Sequence, residues 1–204
     1  MKPHIPDFEL KGHIYAKPDD GMLMESVTTV LKAELGLYQY GNNTRAEFGR
    51  NVHLACQYED EGSLDYGTVA PDILLRLNQF KKAKKEHNIQ ILGSELKRYH
   101  PKYLYAGTLD LLANVDGKPG IIDIKTGSKE PWHALQTGAY TELIRLEHDE
   151  LLLRFALYLT DTKYELIPHT HKRDFLDFLT FFVAHMLKIN MGYRKRKGGD
   201  EYED

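Results

Sequence analysis

The stretch that most constrains this chain is a pair of β-prone runs joined by a tight loop. The first is Tyr-Ala-Gly-Thr-Leu-Asp at 105–110, carried on by apolar residues to Val115; the second is Ile-Ile-Asp-Ile-Lys-Thr-Gly at 121–127, and Asp-Gly-Lys-Pro-Gly lies between them. Apolar and β-branched residues on either side of an Asp-Gly pair predict a hairpin. Side chains alternate along a strand, so Asp123 and Lys125 share one face while Ile122 and Ile124 take the other. If the loop is Asp116 and Gly117, Asp110 lies opposite Asp123. If it is the four residues 116–119, Asp110 faces Lys125. Both registers keep the three charged residues on one face within about 5–8 Å, whereas a three-residue loop would scatter them unless a bulge restored the parity. Two carboxylates held that close repel unless a cation lies between them, and hard oxygen ligands suit a divalent ion. Magnesium is the natural candidate, with manganese as a substitute.

The rest of the chain supplies strands and helices around this hairpin. Residues 8–15 read as an edge strand, followed by a Pro-Asp-Asp-Gly turn and a short strand at 22–24. Ser26 is an N-cap for a helix over 27–35 that ends near Gly36. Its Thr28 and Thr29 are packing residues or hydroxyl donors to a phosphate, the first role being favoured. A second helix over 45–59 buries Phe48, Val52 and Cys56, with His53 beside the stripe. A third, over 73–87, buries Ile73, Leu74, Leu77 and Phe80. Residues 89–99 form a strand on which Glu95 is a third acid for the site, or else an exposed residue paired with a nearby lysine. After the hairpin, Pro131 opens a helix with Leu135, Ala139, Leu143 and Leu146 inward, and Gln136 and Tyr140 side by side four residues apart. Strands at 151–160 and 163–168 and a helix over 172–193 complete the pattern, the last burying Phe175, Phe178, Leu179, Phe182 and Met186. Interleaved strands and helices predict an α/β domain, a central mixed sheet with helices on both faces.

Composition bounds the function. A chain of 204 residues, 42% hydrophobic, can bury one sizeable core. With no linker or repeat to divide it, residues 1–197 are expected to form one domain and 198–204 a frayed tail. The single cysteine, Cys56, excludes an internal disulfide and any cysteine-bound zinc or iron-sulfur cluster within one chain. The absence of an 18-residue apolar run or a signal-peptide pattern gives the expectation of a soluble, cytoplasmic protein with no membrane partner. Net charge is −3, but Lys81-Lys-Ala-Lys-Lys85 and Arg194-Lys-Arg-Lys197 are dense basic clusters. They read equally as phosphate tracks or as solvated helix faces.

Asp110, the Asp123-Ile124-Lys125 triplet and Gln136-Thr-Gly-Ala-Tyr140 resemble, in order and spacing, the core of the PD-(D/E)XK nuclease superfamily in its RecB-like and lambda-exonuclease-like branch. Gly49-Arg-Asn-Val-His53 resembles that branch's helical histidine motif. Ser26-Val-Thr-Thr-Val-Leu31 resembles its N-terminal helix, and Ser94-Glu95 its acid before the hairpin. The resemblance covers most of the chain, and the lack of a cluster-binding set of cysteines aligns it with the cluster-free members such as phage recombination exonucleases. It implies a restriction-endonuclease-like fold and a magnesium-dependent deoxyribonuclease acting on DNA with a free end in recombination or repair, in a bacterial or phage-infected cell, with a recombination protein as a possible partner. It also implies that Asp110, Asp123, the Ile124 carbonyl and His53 hold metal, that Lys125 holds or deprotonates the attacking water, that Gln136 and Tyr140 orient Lys125 or the scissile phosphate, and that Glu95 positions the water or a second metal. The same residues would serve a structure-specific or restriction-type endonuclease. A non-catalytic DNA-binding or assembly subunit is the rival of another class, although a scaffold has no need to hold two carboxylates together.

Overall fold

The chain turns back on itself at Asp116–Gly117, and the rest of the sheet grows outward from that turn. Asp116 (φ 49°) and Gly117 (φ 80°) both take positive φ, the type I′ geometry that matches the twist of two antiparallel strands. β4 (Tyr105–Val115) and β5 (Lys118–Lys125) therefore pair from Val115↔Lys118 back to Leu111↔Ile122. This is the register of the two-residue loop. The computed structural model describes residues 14–37, 43–145, 147 and 152–196.

Among the described residues, the sheet has seven strands in the order β1-β2-β4-β5-β6-β7, with β3 also on β4. These are β1 (Tyr15–Ala16), β2 (Leu23–Ser26), β3 (Gln90–Tyr99), β6 (Leu153–Leu159) and β7 (Tyr164–Pro168), besides the hairpin. β3 runs antiparallel to β4 from Gln90↔Asn114 to Tyr99↔Ala106 and so occupies one edge of β4 along nearly its whole length. β2 and β5 must share the other edge. β2 pairs in parallel at Glu25↔Tyr105 and Ser26↔Ala106, and β5 takes 111–115. Between them, residues 107–110 of β4 have no strand on that side. β6 continues the sheet in parallel with β5 as far as Lys125↔Tyr158, and β7 closes it antiparallel to β6.

Helices cover both faces, as the sequence pattern predicts for an α/β domain. α1 (Val27–Glu34), α4 (Trp132–Arg145) and α5 (Asp174–Asn190) pack Val27, Leu31, Tyr140, Leu143, Phe178 and Phe182 against Tyr105, Leu109, Leu112 and Ile121. α2 (Asn43–Glu61) and α3 (Pro71–Glu86) pack Val52, Cys56, Leu77 and Phe80 against Leu111, Ala113, Ile122 and Ile124 on the other side. Burial of apolar side chains at roughly 25 cal/mol per Å² on both faces holds the hairpin between two layers. Ile121 and Ile122 enter different layers, as strand alternation requires.

Several boundaries differ from the sequence expectation. α5 ends at Asn190 rather than at 193, because Gly192 at φ 75° breaks the helix; Tyr193 N–H then bonds Lys188 O (2.8 Å) and Gly192 N–H bonds Ile189 O (3.0 Å), a Schellman end. A short 3₁₀ turn, Tyr66–Thr68, was not foreseen. Residues 8–13 of the expected edge strand, Leu146, the start of the 151–160 strand, Lys197 and the 198–204 tail lie outside the described residues.

Most of the described residues in the two basic clusters meet acids. Lys81 meets Glu59 (3.0 Å) and Tyr66 (2.8 Å), Lys84 meets Asp60, and Lys82 meets Glu86 (3.9 Å), so the lysines of α3 latch it largely to α2. Arg194 meets Glu34, and Arg196 meets Glu25 (3.6 Å), both carboxylates being almost wholly buried. The C-terminal arginines thus tie the segment after α5 back onto β2 and α1. No described helix is long and apolar enough to cross a membrane.

Candidate active site

The gap beside residues 107–110 of β4 is filled by side chains instead of a strand. Past Leu111↔Ile122 the hairpin strands part, and the Ile124 N–H that would have met a backbone carbonyl donates to Asp110 Oδ2 at 2.6 Å. Asp110 therefore lies between the two strands. From α2, His53 reaches the same place: its Nδ1 is 3.4 Å from Asp110 Oδ1 and its Nε2 is 3.1 Å from the Ile124 carbonyl oxygen. α2 lies close over the end of β5 at Gly49, where an added Cβ would sit 3.4 Å from Thr126 Oγ1.

Glu95 joins them from β3. The antiparallel register sets it opposite Asp110, between Ser94↔Leu111 and Leu96↔Leu109. Its backbone is unusual, with φ at 49° in the middle of a strand. One ligand atom each from His53, Glu95 and Asp110 lies within 4.8 Å of the others. Donors around one hard cation at about 2.0–2.6 Å from it are separated by comparable distances, so this set fits a divalent ion.

Asp123 and Lys125 come from the face of β5 turned toward α4. Lys125 Nζ is 2.6 Å from Asp123 Oδ2 and donates to Gln136 Oε1 at 2.9 Å. Gln136 Nε2 in turn donates to Tyr140 Oη (3.0 Å) and Thr28 Oγ1 (3.3 Å). The Trp132 ring lies 5.6 Å from the ammonium, and Tyr158 is the partner of Lys125 across β5 and β6. Asp123 is 3% exposed, and its Oδ2 is met by the Lys125 ammonium. Gly107 makes room for the arrangement, since a Cβ there would fall 2.7 Å from Tyr140 Cε1.

The electrostatics follow from crowding. Burial drives the Asp123 carboxyl up, and neighbouring Asp110 adds to this beyond what Lys125 offsets, leaving it at about 6. Burial alone would lower the His53 imidazole, but Asp110 outweighs that and raises it to about 9. His53 in return helps hold Asp110 below the usual carboxylate range despite its burial. Without metal, His53 is thus a cation that donates both ring N–H groups, one to Asp110 and one to the Ile124 carbonyl. A metal ion would take the place of that proton.

Every residue singled out in the sequence is therefore at or beside the gap. The grouping differs in detail, because Glu95 stands with His53 and Asp110 while Asp123 is held by Lys125. Sequence reasoning missed the contact of Thr28 with Gln136 and the aromatic surround of Lys125 by Trp132 and Tyr158. Gly107 was a usable signal, since glycine inside a strand marks close approach.

No protein-family model and no curated protein matches this chain. Among solved structures it is similar to a protein from Eubacterium rectale named "Putative exonuclease", at 12% identity over 85% of this chain and 77% of that one, with a TM-score of 0.47. It is also similar to a protein named SSO0001, at 18% identity over 83% of this chain and 88% of that one, with a TM-score of 0.35. Neither likeness is close enough to carry a function, which rests on the side chains.

Proposed function

We propose that this protein is a divalent-metal-dependent deoxyribonuclease of the PD-(D/E)XK superfamily, in its RecB-like and lambda-exonuclease-like branch, and that it degrades DNA from free ends. The observation that carries this reading is the parted hairpin. Two carboxylates and a lysine sit there, with His53 and Glu95 within ligand distance of Asp110. Holding Asp110 and Asp123 together at the cost of their mutual repulsion serves no packing purpose.

His53, Glu95 and Asp110 would hold the ion, with Asp123 and the Ile124 carbonyl beside them. When bound, magnesium or manganese supplies a water of lowered pKa and neutralises charge on the phosphate. Lys125, fixed by Asp123 on one side and Gln136 on the other, holds or deprotonates the attacking water and offsets charge growing on the phosphorus oxygens. Tyr140, through Gln136, keeps the lysine from swinging toward solvent. Residues 1–197 act as one nuclease domain in this reading, with DNA bearing a free end as its substrate.

The deciding experiment compares linear DNA labelled at either end with a covalently closed circle, each with magnesium and with excess chelator. Linear DNA is degraded only with metal, and circles survive. Undiminished cleavage in chelator would end the metal reading, and rapid opening of circles would replace the exonuclease with an endonuclease on the same site.

A further inference from the structure

Lys125 can do its work only while Gln136 stays in place, and Gln136 has two amide hydrogens to satisfy in a site where it is 4% exposed. A lysine ammonium is donor only, so Gln136 must turn its oxygen toward Lys125 and both N–H groups away from it. One N–H goes to Tyr140 Oη at 3.0 Å and the other to Thr28 Oγ1 at 3.3 Å. Tyr140 is itself 5% exposed, and its hydroxyl lies 3.4 Å from the same Thr28 oxygen. Thr28 Oγ1 therefore accepts one Gln136 N–H and shares a hydrogen bond with Tyr140 Oη, in which either hydroxyl can donate, at the back of the lysine.

From these contacts we infer that Thr28 is a positioning residue for Lys125. Its hydroxyl oxygen is the acceptor that keeps Gln136 and Tyr140 in the arrangement that holds the ammonium beside Asp123. Without it, one Gln136 N–H loses its acceptor inside the protein and Tyr140 Oη loses a hydrogen-bonded neighbour. An unmet buried donor is costly enough that the amide turns to find another acceptor, and its oxygen then leaves Lys125.

The position of Thr28 is well determined by elements far from Gln136 in sequence. Ser26 caps α1 by accepting the Thr29 N–H at 3.0 Å, and β2 ends in the pairs Glu25↔Tyr105 and Ser26↔Ala106. The first turn of α1 is thereby fixed against β4, the strand that carries Asp110. Thr28 thus connects the short parallel strand to the lysine, a link of 108 residues along the chain.

For activity this inference rests on the nuclease reading, so its test has one arm that does not. Thr28→Val keeps the shape and removes the acceptor; Thr28→Ser keeps the acceptor. With magnesium and end-labelled DNA, Thr28→Val should lower kcat about fivefold to tenfold with little change in KM, and Thr28→Ser should recover most of it. In a Gln136→Ala background, Thr28→Val should add nothing, because the group it acts through is gone. Equal losses in both backgrounds would overturn the inference in favour of a general structural effect, as would an unimpaired Thr28→Val enzyme. The second arm follows the Gln136 side-chain amide hydrogens by NMR in metal-free protein, assigned by their loss in Gln136→Ala. They should exchange slowly with solvent in the wild type and Thr28→Ser, and at least about tenfold faster in Thr28→Val. Unchanged exchange refutes the inference even if the wild type cleaves no DNA, and a wild type inert toward DNA refutes the nuclease reading alone.

Discussion

Replacing Lys125 by alanine separates chemistry from folding, and the structure sets the size of each effect. The ammonium lies 2.6 Å from Asp123 Oδ2, a carboxylate already raised from its ordinary 3.8 to about 6 by burial and by Asp110. Holding an aspartate at that value costs roughly 3 kcal/mol at pH 7, and keeping it wholly protonated costs roughly 4 kcal/mol. Without its lysine, Asp123 takes a proton, so the loss through this group is capped at about 1 kcal/mol. A raised carboxyl favours the fold at low pH and withdraws that support as pH rises through about 6. The Lys125→Ala penalty should therefore be visible at pH 7 and absent near pH 5. Cleavage, in contrast, should fall by about two to four powers of ten if, as proposed, Lys125 holds the attacking water. Thermal melts of metal-free protein at both pH values, metal titration, and single-turnover digestion of end-labelled DNA measure the three quantities. A Lys125→Ala protein that is folded, binds metal and cuts at the wild-type rate would refute the mechanism.

Further outcomes follow from the same geometry. Since His53 is held near 9 without metal and must lose its proton to ligate, metal affinity should climb as pH rises toward that value, with about one proton released per ion; calorimetry in buffers of different ionisation enthalpy measures it, and His53→Ala should flatten the slope. The same raised value means that the support the His53–Asp110 pair gives the metal-free fold is complete below about 6.5 and fades as pH rises through about 9. Gly107→Ala should cost about 1–3 kcal/mol in denaturant melts and also depress cleavage, because its Cβ would press on the Tyr140 ring at 2.7 Å; an unaffected melting curve would show that the ring moves aside freely.

The hairpin was legible because its determinants are local. Asp-Gly admits the two positive φ values of a type I′ turn, and that turn alone sets the register from Val115↔Lys118 to Leu111↔Ile122 that leads to Asp110 and Asp123. What the pattern could not show is that pairing stops at Leu111↔Ile122 and that Asp110 takes over the Ile124 N–H. That opening depends on β2 claiming only two residues at the far end of the same edge, a parallel contact between segments some 80 residues apart that leaves no periodic trace. The charge runs were ambiguous for a similar reason. Lys81 and Lys84 look alike whether water or the acids of α2 lie opposite, and only the packing of α2 on α3 decides. The end of α5 at Gly192, by contrast, could have been read from the glycine itself.

Glu95 joins strain to function in a way that can be measured. A non-glycine residue at φ 49° pays for its conformation with roughly 1–2 kcal/mol, and such a residue persists only where its surroundings hold it. Here the twist in β3 turns a carboxylate toward His53 and Asp110. If the strain is kept for the sake of that carboxylate, relieving it should trade binding for stability. Glu95→Gly and Glu95→Ala both delete the proposed ligand, but only glycine accepts the backbone angle without penalty. Both should weaken metal binding to a similar degree. Glu95→Gly should nevertheless be more stable than Glu95→Ala by about 1 kcal/mol, even after the extra freedom glycine gains in the unfolded chain. Denaturant melts of the two metal-free variants, alongside metal titrations, make the comparison. Equal stabilities would mean that β3 relaxes once the side chain is shortened, so that the positive φ is imposed by the glutamate's own contacts; unchanged metal affinity in both would remove Glu95 from the site.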